Sequence, residues 1–224
     1  MNGGETRRAL VVRGGWDGHD PIGTTERFIP GLREAGFLVE VGEDLSVYED
    51  AERIASADLI VHCWSMGTLT SDQEANLVAA VRAGTGFAGW HGGIIGTNVA
   101  NPAYLRMVGG RFLFHPQGFE DYTVAIDPAP EADGEITAGL EHFTVHTEHY
   151  WVLSDSHSTV LASSVFTPTP DSEWSEPVGM PVTWTRRWGQ GRVFVCTLGH
   201  RVEDFDVPAT AAMISRGLLW AARG

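Results

Sequence analysis

The sequence predicts a layered α/β fold, in which a mainly parallel central sheet is flanked by helices. In the first 110 residues, apolar runs typical of buried strands alternate with helical patterns, and this rhythm indicates β-α-β units. Residues 89–93, Gly-Trp-His-Gly-Gly, have the glycine-flanked pattern of a sharp turn from a strand into a helix. Of the 224 residues 43% are apolar, enough for a sizeable core. We therefore expect one domain over residues 1–224.

The elements of the first half follow from apolar periodicity and from the residues that cap helices. The best-marked helix begins with a capping box formed by Ser71 and Glu74 and ends at Gly84. The other predicted helices cover residues 24–35 and 51–55. The predicted strands cover residues 8–12, 37–41, 58–62 and 86–90.

The second half shows short strand patterns separated by turns. Residues 111–115, 122–126 and 160–164 are predicted strands, and residues 181–188 and 192–197 are joined by Gly-Gln-Gly as an antiparallel hairpin near the C-terminus. Residues 208–222 carry apolar side chains at helical spacing and predict a terminal helix packed on the sheet. Residues 167–177, with three prolines and three acidic residues, predict an exposed loop.

Composition and charge narrow the classes of function. The chain carries 29 acidic and 15 basic residues, a formal charge of −14, so nucleic acid and anionic membranes are unfavourable partners. The apolar run near the N-terminus is too short for a signal peptide, and no run has membrane-spanning length. We therefore expect a soluble cytoplasmic protein. The two cysteines, Cys63 and Cys196, are expected to be buried small hydrophobes, and they exclude a disulfide framework.

His91 is the most informative candidate residue, because it occupies the central position of the glycine-flanked turn. Such a turn pushes its central side chain into the cleft above the sheet, and the flanking glycines relieve the steric clash. Serine or cysteine there would indicate acyl transfer. An imidazole instead indicates a general base, a proton shuttle or a metal ligand.

Polar residues also follow the other predicted strands, at the edge where an open parallel sheet usually binds its ligand. His19 and Asp20 lie in a glycine-rich loop after the first strand, although this loop could be a solvated turn. Trp64 offers an apolar platform for a sugar face, whereas the neighbouring His62 reads more readily as strand interior. His115 and His200 end two later strands, and His200 shares an edge with His91 if their strands are parallel neighbours.

The segment 142–150 concentrates His142, His146, Glu148, His149 and Tyr150, without the spacing of a helical zinc motif. In an extended chain alternate residues face opposite sides, so His146, Glu148 and Tyr150 would share one face and His149 would take the other. Glu148 is the strongest candidate, since a carboxylate beside a neutral imidazole supplies an acid/base pair or a mixed ligand set. The alternative is an exposed glutamate.

These segments together resemble the ThuA-like family, named for trehalose utilisation, whose fold is similar to that of class I glutamine amidotransferases and flavodoxins. The matching segments span almost the whole chain: residues 11–20, 88–93, 108–112 with 115–116, 148–150, and 181–187 continuing through 189–194 to 198–200. The resemblance implies that His91 stands where amidotransferases carry their catalytic cysteine, so glutaminase activity is not expected. It also implies a role in catabolism of trehalose or a related disaccharide or keto-sugar, with His19, His91, Glu148, Tyr150 and His200 as site residues.

Our leading hypothesis is a carbohydrate-processing enzyme, possible classes being a hydrolase, a lyase or an isomerase. His91 and Glu148 would exchange protons with the sugar, while His19 and His200 orient it or, with His91, hold a divalent metal such as zinc. The residues expected to contact the substrate are Trp16, Asp20, Trp64, Trp90, His115 and Tyr150, with Trp151 as a further candidate for stacking.

Two alternatives remain open at this stage. The first is a non-catalytic sugar-binding or regulatory module that kept the fold and lost the nucleophile. The second is an interaction protein that uses its acidic surface. The sequence is also compatible with a homo-oligomer.

Overall fold

The computed structural model of the protein describes residues 6–223. Within this range eleven strands form a nine-stranded sheet and a separate two-stranded sheet. The strands are β1 (Arg7–Gly14), β2 (Phe37–Gly42), β3 (Leu59–Trp64), β4 (Gly86–Trp90), β5 (Gly110–Phe114), β6 (Glu120–Ile126), β7 (Phe143–Thr147), β8 (Trp151–Ser154), β9 (Thr159–Phe166), β10 (Val178–Trp188) and β11 (Gly191–Cys196).

The helices lie mostly between the strands of the first half and at the C-terminus. They are α1 (Pro21–Glu26), α2 (Ile29–Glu34), α3 (Ala51–Ala55), α4 (Ser71–Arg82), α5 (Gly92–Ile95), α6 (Pro102–Val108), α7 (Glu131–Gly134) and α8 (Pro208–Ala221), with three short 3₁₀ helices at Asp17–His19, Leu45–Glu49 and Val202–Asp206. Among residues 6–223 no helix is both long enough and apolar enough to span a bilayer.

The large sheet has the order β2-β1-β3-β4-β11-β10-β9-β6-β7. The first five strands in this order run parallel, and the following pairings are antiparallel. The small sheet pairs β5 with β8. The predicted α/β fold class is thus confirmed, including the antiparallel β10–β11 hairpin. Strands β4 and β11 are parallel neighbours, so His91 and His200 follow strands that end at the same edge.

The core has two layers, one on each face of the large sheet. On one face α8 packs against β4 and β11, with Ile214 and Leu218 among the buried residues. On the other face α4 packs between α3 and α6, and its Leu77 is fully buried. Apolar side chains of the central strands therefore face helices on both sides, which explains why these strands read as continuous apolar runs.

Two helix predictions need correction. The single helix predicted over residues 24–35 is divided into α1 and α2, and Pro30, which has no N–H to donate, lies in the first turn of α2. The capping box of α4 lies one residue earlier than predicted. Thr70 Oγ1 accepts a hydrogen bond from the Gln73 N–H at 3.3 Å, and Gln73 Oε1 accepts one from the Thr70 N–H at 2.9 Å. The sequence satisfies the motif in two adjacent registers, so the pattern could not select between them.

The two cysteines are buried, as predicted. Burial raises the pKa of the Cys63 thiol to about 12 and that of the Cys196 thiol to about 11, so neither is a reactive thiolate at neutral pH. His62 is also strand interior. It contacts the Tyr48 hydroxyl at 2.7 Å, and burial lowers its pKa to about 3, so it stays neutral within the core.

Candidate functional site

The candidate site is built around a sharp turn at the carboxyl end of β4. His91 has φ 50° and ψ −145°, a strained conformation for a side-chain-bearing residue, and α5 begins at the next residue. The His91 N–H donates to the Cys196 carbonyl of β11 at 2.7 Å, which fixes the turn to the neighbouring strand. A Cβ at Gly93 would lie 2.8 Å from Cys63 Cα, so the close contact of α5 with β3 requires glycine. The predicted strand-to-helix turn is present.

The tautomer of His91 follows from its partners. His91 Nδ1 lies 2.8 Å from the Thr197 carbonyl oxygen, which can only accept, so Nδ1 carries the proton. Burial lowers the pKa of His91, which keeps the imidazole neutral at pH 7. Its Nε2 therefore presents a bare lone pair to the cleft.

Glu148 and Tyr150 reach this lone pair from the connection between β7 and β8. Glu148 Oε2 lies 3.1 Å from His91 Nε2, and the Tyr150 hydroxyl donates to the same nitrogen at 2.7 Å. Tyr122 donates to the Glu148 carbonyl at 3.1 Å and holds the segment in place. Glu148 and Tyr150 point to the cluster while His149 points away, as alternation predicts.

The electrostatic balance keeps Glu148 ionised. Burial by itself raises the pKa of Glu148, but the hydrogen bond from His200 and the close contact with His91 lower it by more, so its pKa is well below the usual range. Burial raises the pKa of the Tyr150 phenol, which stays protonated as a donor.

His200 reaches the cluster from the loop after β11. Its Nδ1 lies 3.2 Å from Glu148 Oε2 and 3.3 Å from His91 Nε2. The His200 N–H donates to Asp204 Oδ2 at 2.8 Å, and Thr147 Oγ1 donates to the same oxygen at 2.7 Å. The buried Asp204 thus ties the His200 loop to β7, a role that no sequence motif indicated.

His19 comes from the glycine-rich loop after β1. Its Nδ1 lies 2.6 Å from Ser65 Oγ, and burial, together with the neighbouring His91 and His200, lowers its pKa to about 3. One ligand atom from each of His19, His91, Glu148 and His200 lies within 4.8 Å of the others. Sequence reasoning missed Ser65, although its position directly after β3 was a usable signal.

The outer edge of the cluster is formed by Trp16 and His115. Trp16 is 46% exposed, and its ring meets the ring of His19 edge-on at 4.8 Å. His115 Nε2 lies 3.6 Å from Glu148 Oε1, on the side away from His91. Both residues therefore border the cluster where a ligand would enter.

Three of the residues predicted to bind substrate have side chains that do not face the cluster. Trp90 is 1% exposed and packs against Phe28 and Phe205, so its ring cannot offer a face to a ligand. The prediction for Trp90 was wrong because both faces of β4 are covered, so a side chain on either face points into the core. The Asp20 carboxylate accepts the Gly23 N–H at 2.9 Å and caps α1. Trp64 lies over Gly14 and is half-buried outside the cluster.

The remaining histidines of segment 142–150 do not join the cluster. His142 Nδ1 accepts the Ile126 N–H at 2.9 Å, and His146 Nδ1 contacts Asp121 at 2.9 Å on the surface. The prediction that His146 shares a face with Glu148 was wrong, because β7 ends at Thr147 and its alternation does not continue to Glu148.

Comparison with known proteins was made by sequence and by structure. The ThuA family model, described as trehalose utilisation, matches residues 8–221. A sequence search of curated proteins gave no match.

Similar solved structures share the fold at low identity. They include a ThuA-like protein from Bacteroides uniformis, at 18% identity and a TM-score of 0.73, covering 99% of this chain and 94% of the other. A ThuA-like protein from Parabacteroides merdae has 14% identity and a TM-score of 0.73, covering 97% and 90%. A cytoplasmic protein from Salmonella typhimurium has 14% identity and a TM-score of 0.67, covering 96% and 100%. Since the family model covers nearly the whole described fold, the chain belongs to the ThuA family, the trehalose utilisation family.

Proposed function

We propose that this protein is a sugar-processing enzyme of carbohydrate catabolism, in which His91, Glu148 and His200 hold a divalent cation such as zinc. One observation carries the proposal. His91 Nε2 has no proton, Glu148 is ionised, and these two acceptors face each other at 3.1 Å. In the structure the Tyr150 O–H is directed at the His91 lone pair and His200 at the carboxylate, and a divalent cation bound by all three ligand atoms would take the place of these two protons.

The spacing of the three ligand atoms fits a metal ion. Zinc bonds to nitrogen and oxygen measure about 2.0–2.1 Å, so neighbouring ligands of a tetrahedral ion lie about 3.3 Å apart. The three separations among His91 Nε2, Glu148 Oε2 and His200 Nδ1 are 3.1, 3.2 and 3.3 Å. The hydrogen bond from His91 Nδ1 to the Thr197 carbonyl is the kind of outer contact that orients a metal-bound imidazole.

Three protein ligands leave a fourth position for water or for a sugar oxygen. A cation in this position would polarise a carbonyl or make a bound water more acidic. His19, oriented by Ser65, lies beside the three ligands and would hydrogen-bond the group that occupies the fourth position. Tyr150 is a neutral donor beside His91, and its O–H would turn to that group once the His91 lone pair binds the cation.

Proton exchange with the substrate involves the second oxygen of Glu148. Glu148 Oε1 faces the partly exposed His115, whereas Oε2 faces the two other ligands. His115 Nε2 is 3.6 Å from Oε1, beyond direct hydrogen-bond distance, so a proton would pass between them through a bridging water. Trp16 supplies an exposed ring beside His19 and His200, on which the apolar face of a sugar can stack.

Turnover assays test the proposed function directly. Trehalose and 3-keto-disaccharides would be incubated with zinc-loaded protein and with chelator-treated protein, and products would be followed by chromatography. We expect product only with the metal-loaded protein, and recovery of activity when zinc is restored. Saturable heat in calorimetry without product from any of these sugars would instead identify a sugar-binding module.

Gly92→Ala tests the part played by His19. A Cβ at Gly92 would lie 2.3 Å from His19 Cε1, so alanine must displace that imidazole. We expect turnover to fall by about 10²-fold while the metal content stays at the wild-type level. Gly31→Ala is the matched control, because a Cβ there has no atom of residues 6–223 within 4 Å. Wild-type turnover in Gly92→Ala would show that His19 has no part in the reaction.

A further inference from the structure

Apart from the candidate site, a cavity of about 810 Å³ lies between the small sheet and the antiparallel part of the large sheet. Its walls come from the ends of β5 and β9, from β6, from the start of β8 and from the 167–174 loop. We call it the aromatic cavity. Its volume lies within the range of small-molecule sites in proteins.

The aromatic cavity is lined by stacked rings. His149 lies between Tyr122 and Phe166, with ring centroids 3.9 and 3.7 Å away and interplanar angles of 10° and 7°. Trp151 extends this column from Phe166 at 5.2 Å, and Trp174 meets Trp151 at 4.9 Å. His149 is fixed at both nitrogens, by Glu120 at 2.7 Å and Ser164 at 2.8 Å. Stacking and two hydrogen bonds therefore fix the orientation of His149 in this wall.

Apart from His149, the ionisable side chains that line the cavity are mainly acidic. Carboxylates from Glu120, Asp121, Asp171 and Glu173 line it, and its lining includes no lysine or arginine within the described chain. Glu120 and Asp121 each contact a histidine, at 2.7 and 2.9 Å. Even with both histidines protonated, Asp171 and Glu173 would leave the wall negative.

The aromatic cavity lies behind the wall that carries the catalytic cluster. Glu148 and Tyr150 face the cluster, and His149 between them lines the cavity. Residues 114–116 are divided between the two sites in the same way, since His115 contacts Glu148 whereas Phe114 and Pro116 line the cavity. The two sites are therefore separate and share one layer of backbone.

We propose that the aromatic cavity binds a small organic cation, a protonated amine or a quaternary ammonium ion. The buried Tyr122–His149–Phe166 stack forms the back of the cavity, whereas the partly exposed rings of Trp151, Trp174 and Phe114 can offer their faces to such a cation. Aromatic faces attract a cation through their quadrupoles, and the carboxylates neutralise its charge. A neutral sugar would stack on the same rings but would leave Asp171 and Glu173 uncompensated, and an anion would be repelled. The proposal is independent of the reaction at the metal-binding cluster.

Choline and its uncharged analogue 3,3-dimethylbutan-1-ol provide the test, since they have nearly the same shape. We expect choline to quench tryptophan fluorescence and to give saturable heat in calorimetry with the full chain. The uncharged analogue should bind about tenfold or more weakly. Trehalose should not displace choline.

Two variants locate the binding. Glu173→Gln and Trp174→Leu should each lower the affinity for choline by about threefold or more. Glu34→Gln, which removes an exposed carboxylate on α2, should not change it. Circular dichroism of each variant verifies the fold. The proposal is overturned if choline does not bind saturably, if the uncharged analogue binds equally well, or if neither cavity variant weakens binding.

Discussion

Glu148→Gln is expected to abolish metal binding and to lower turnover by at least about 10²-fold. Glutamine keeps the shape of the side chain but removes the charge that a divalent cation needs beside two neutral imidazoles. Without metal the variant should be somewhat less stable than the wild type at neutral pH, because the low pKa of Glu148 means that its surroundings favour the carboxylate.

Thermal unfolding with and without zinc separates the loss of metal binding from a change in the stability of the fold. Zinc at about 100 times its Kd should stabilise the wild type by about 2.7 kcal/mol and leave Glu148→Gln unchanged. Glu34→Gln removes an exposed charge on α2 and serves as the control. An equal zinc-dependent shift in wild type and Glu148→Gln would exclude Glu148 as a ligand.

Trp90→Ala is expected to destabilise the protein by about 3–5 kcal/mol, because it empties a large buried volume between Phe28 and Phe205. Trp16→Ala, at the exposed edge of the cluster, should change the free energy of unfolding by less than about 0.5 kcal/mol.

Urea unfolding of Trp90→Ala and Trp16→Ala measures the change in the free energy of unfolding for each variant. Trp16→Ala should instead weaken sugar binding, measured by calorimetry on the folded protein. If Trp90→Ala kept wild-type stability and lost sugar binding, Trp90 would belong to the site and its assignment to the core would be wrong.

Local patterns were sufficient to identify the centre of the candidate site. The glycines around His91 predicted the turn, and alternation placed Glu148 and Tyr150 on one side with His149 on the other. To predict that His200 lies near His91, only one assumption was needed, namely that the strand before His200 is the parallel neighbour of β4. The topology confirms this pairing.

The other features depend on contacts between distant parts of the chain. Strand β4 is buried on both faces, so alternation could not tell whether Trp90 points to the core or to the cleft. Asp204 joins the His200 loop to Thr147, 57 residues earlier, without a local motif. The aromatic cavity exists only because β6 pairs with β9 and β5 with β8, and strand β8 was not predicted.

X-ray absorption at the zinc edge identifies the ligands of the proposed metal site, on protein loaded with one equivalent of zinc. We expect two imidazole nitrogens and one carboxylate oxygen at about 2.0–2.1 Å, with a further light atom from water. His91→Ala should lose the bound zinc. A wild-type protein that retains no zinc after buffer exchange, or a spectrum with oxygen ligands alone, would rule out a zinc site formed by His91, Glu148 and His200.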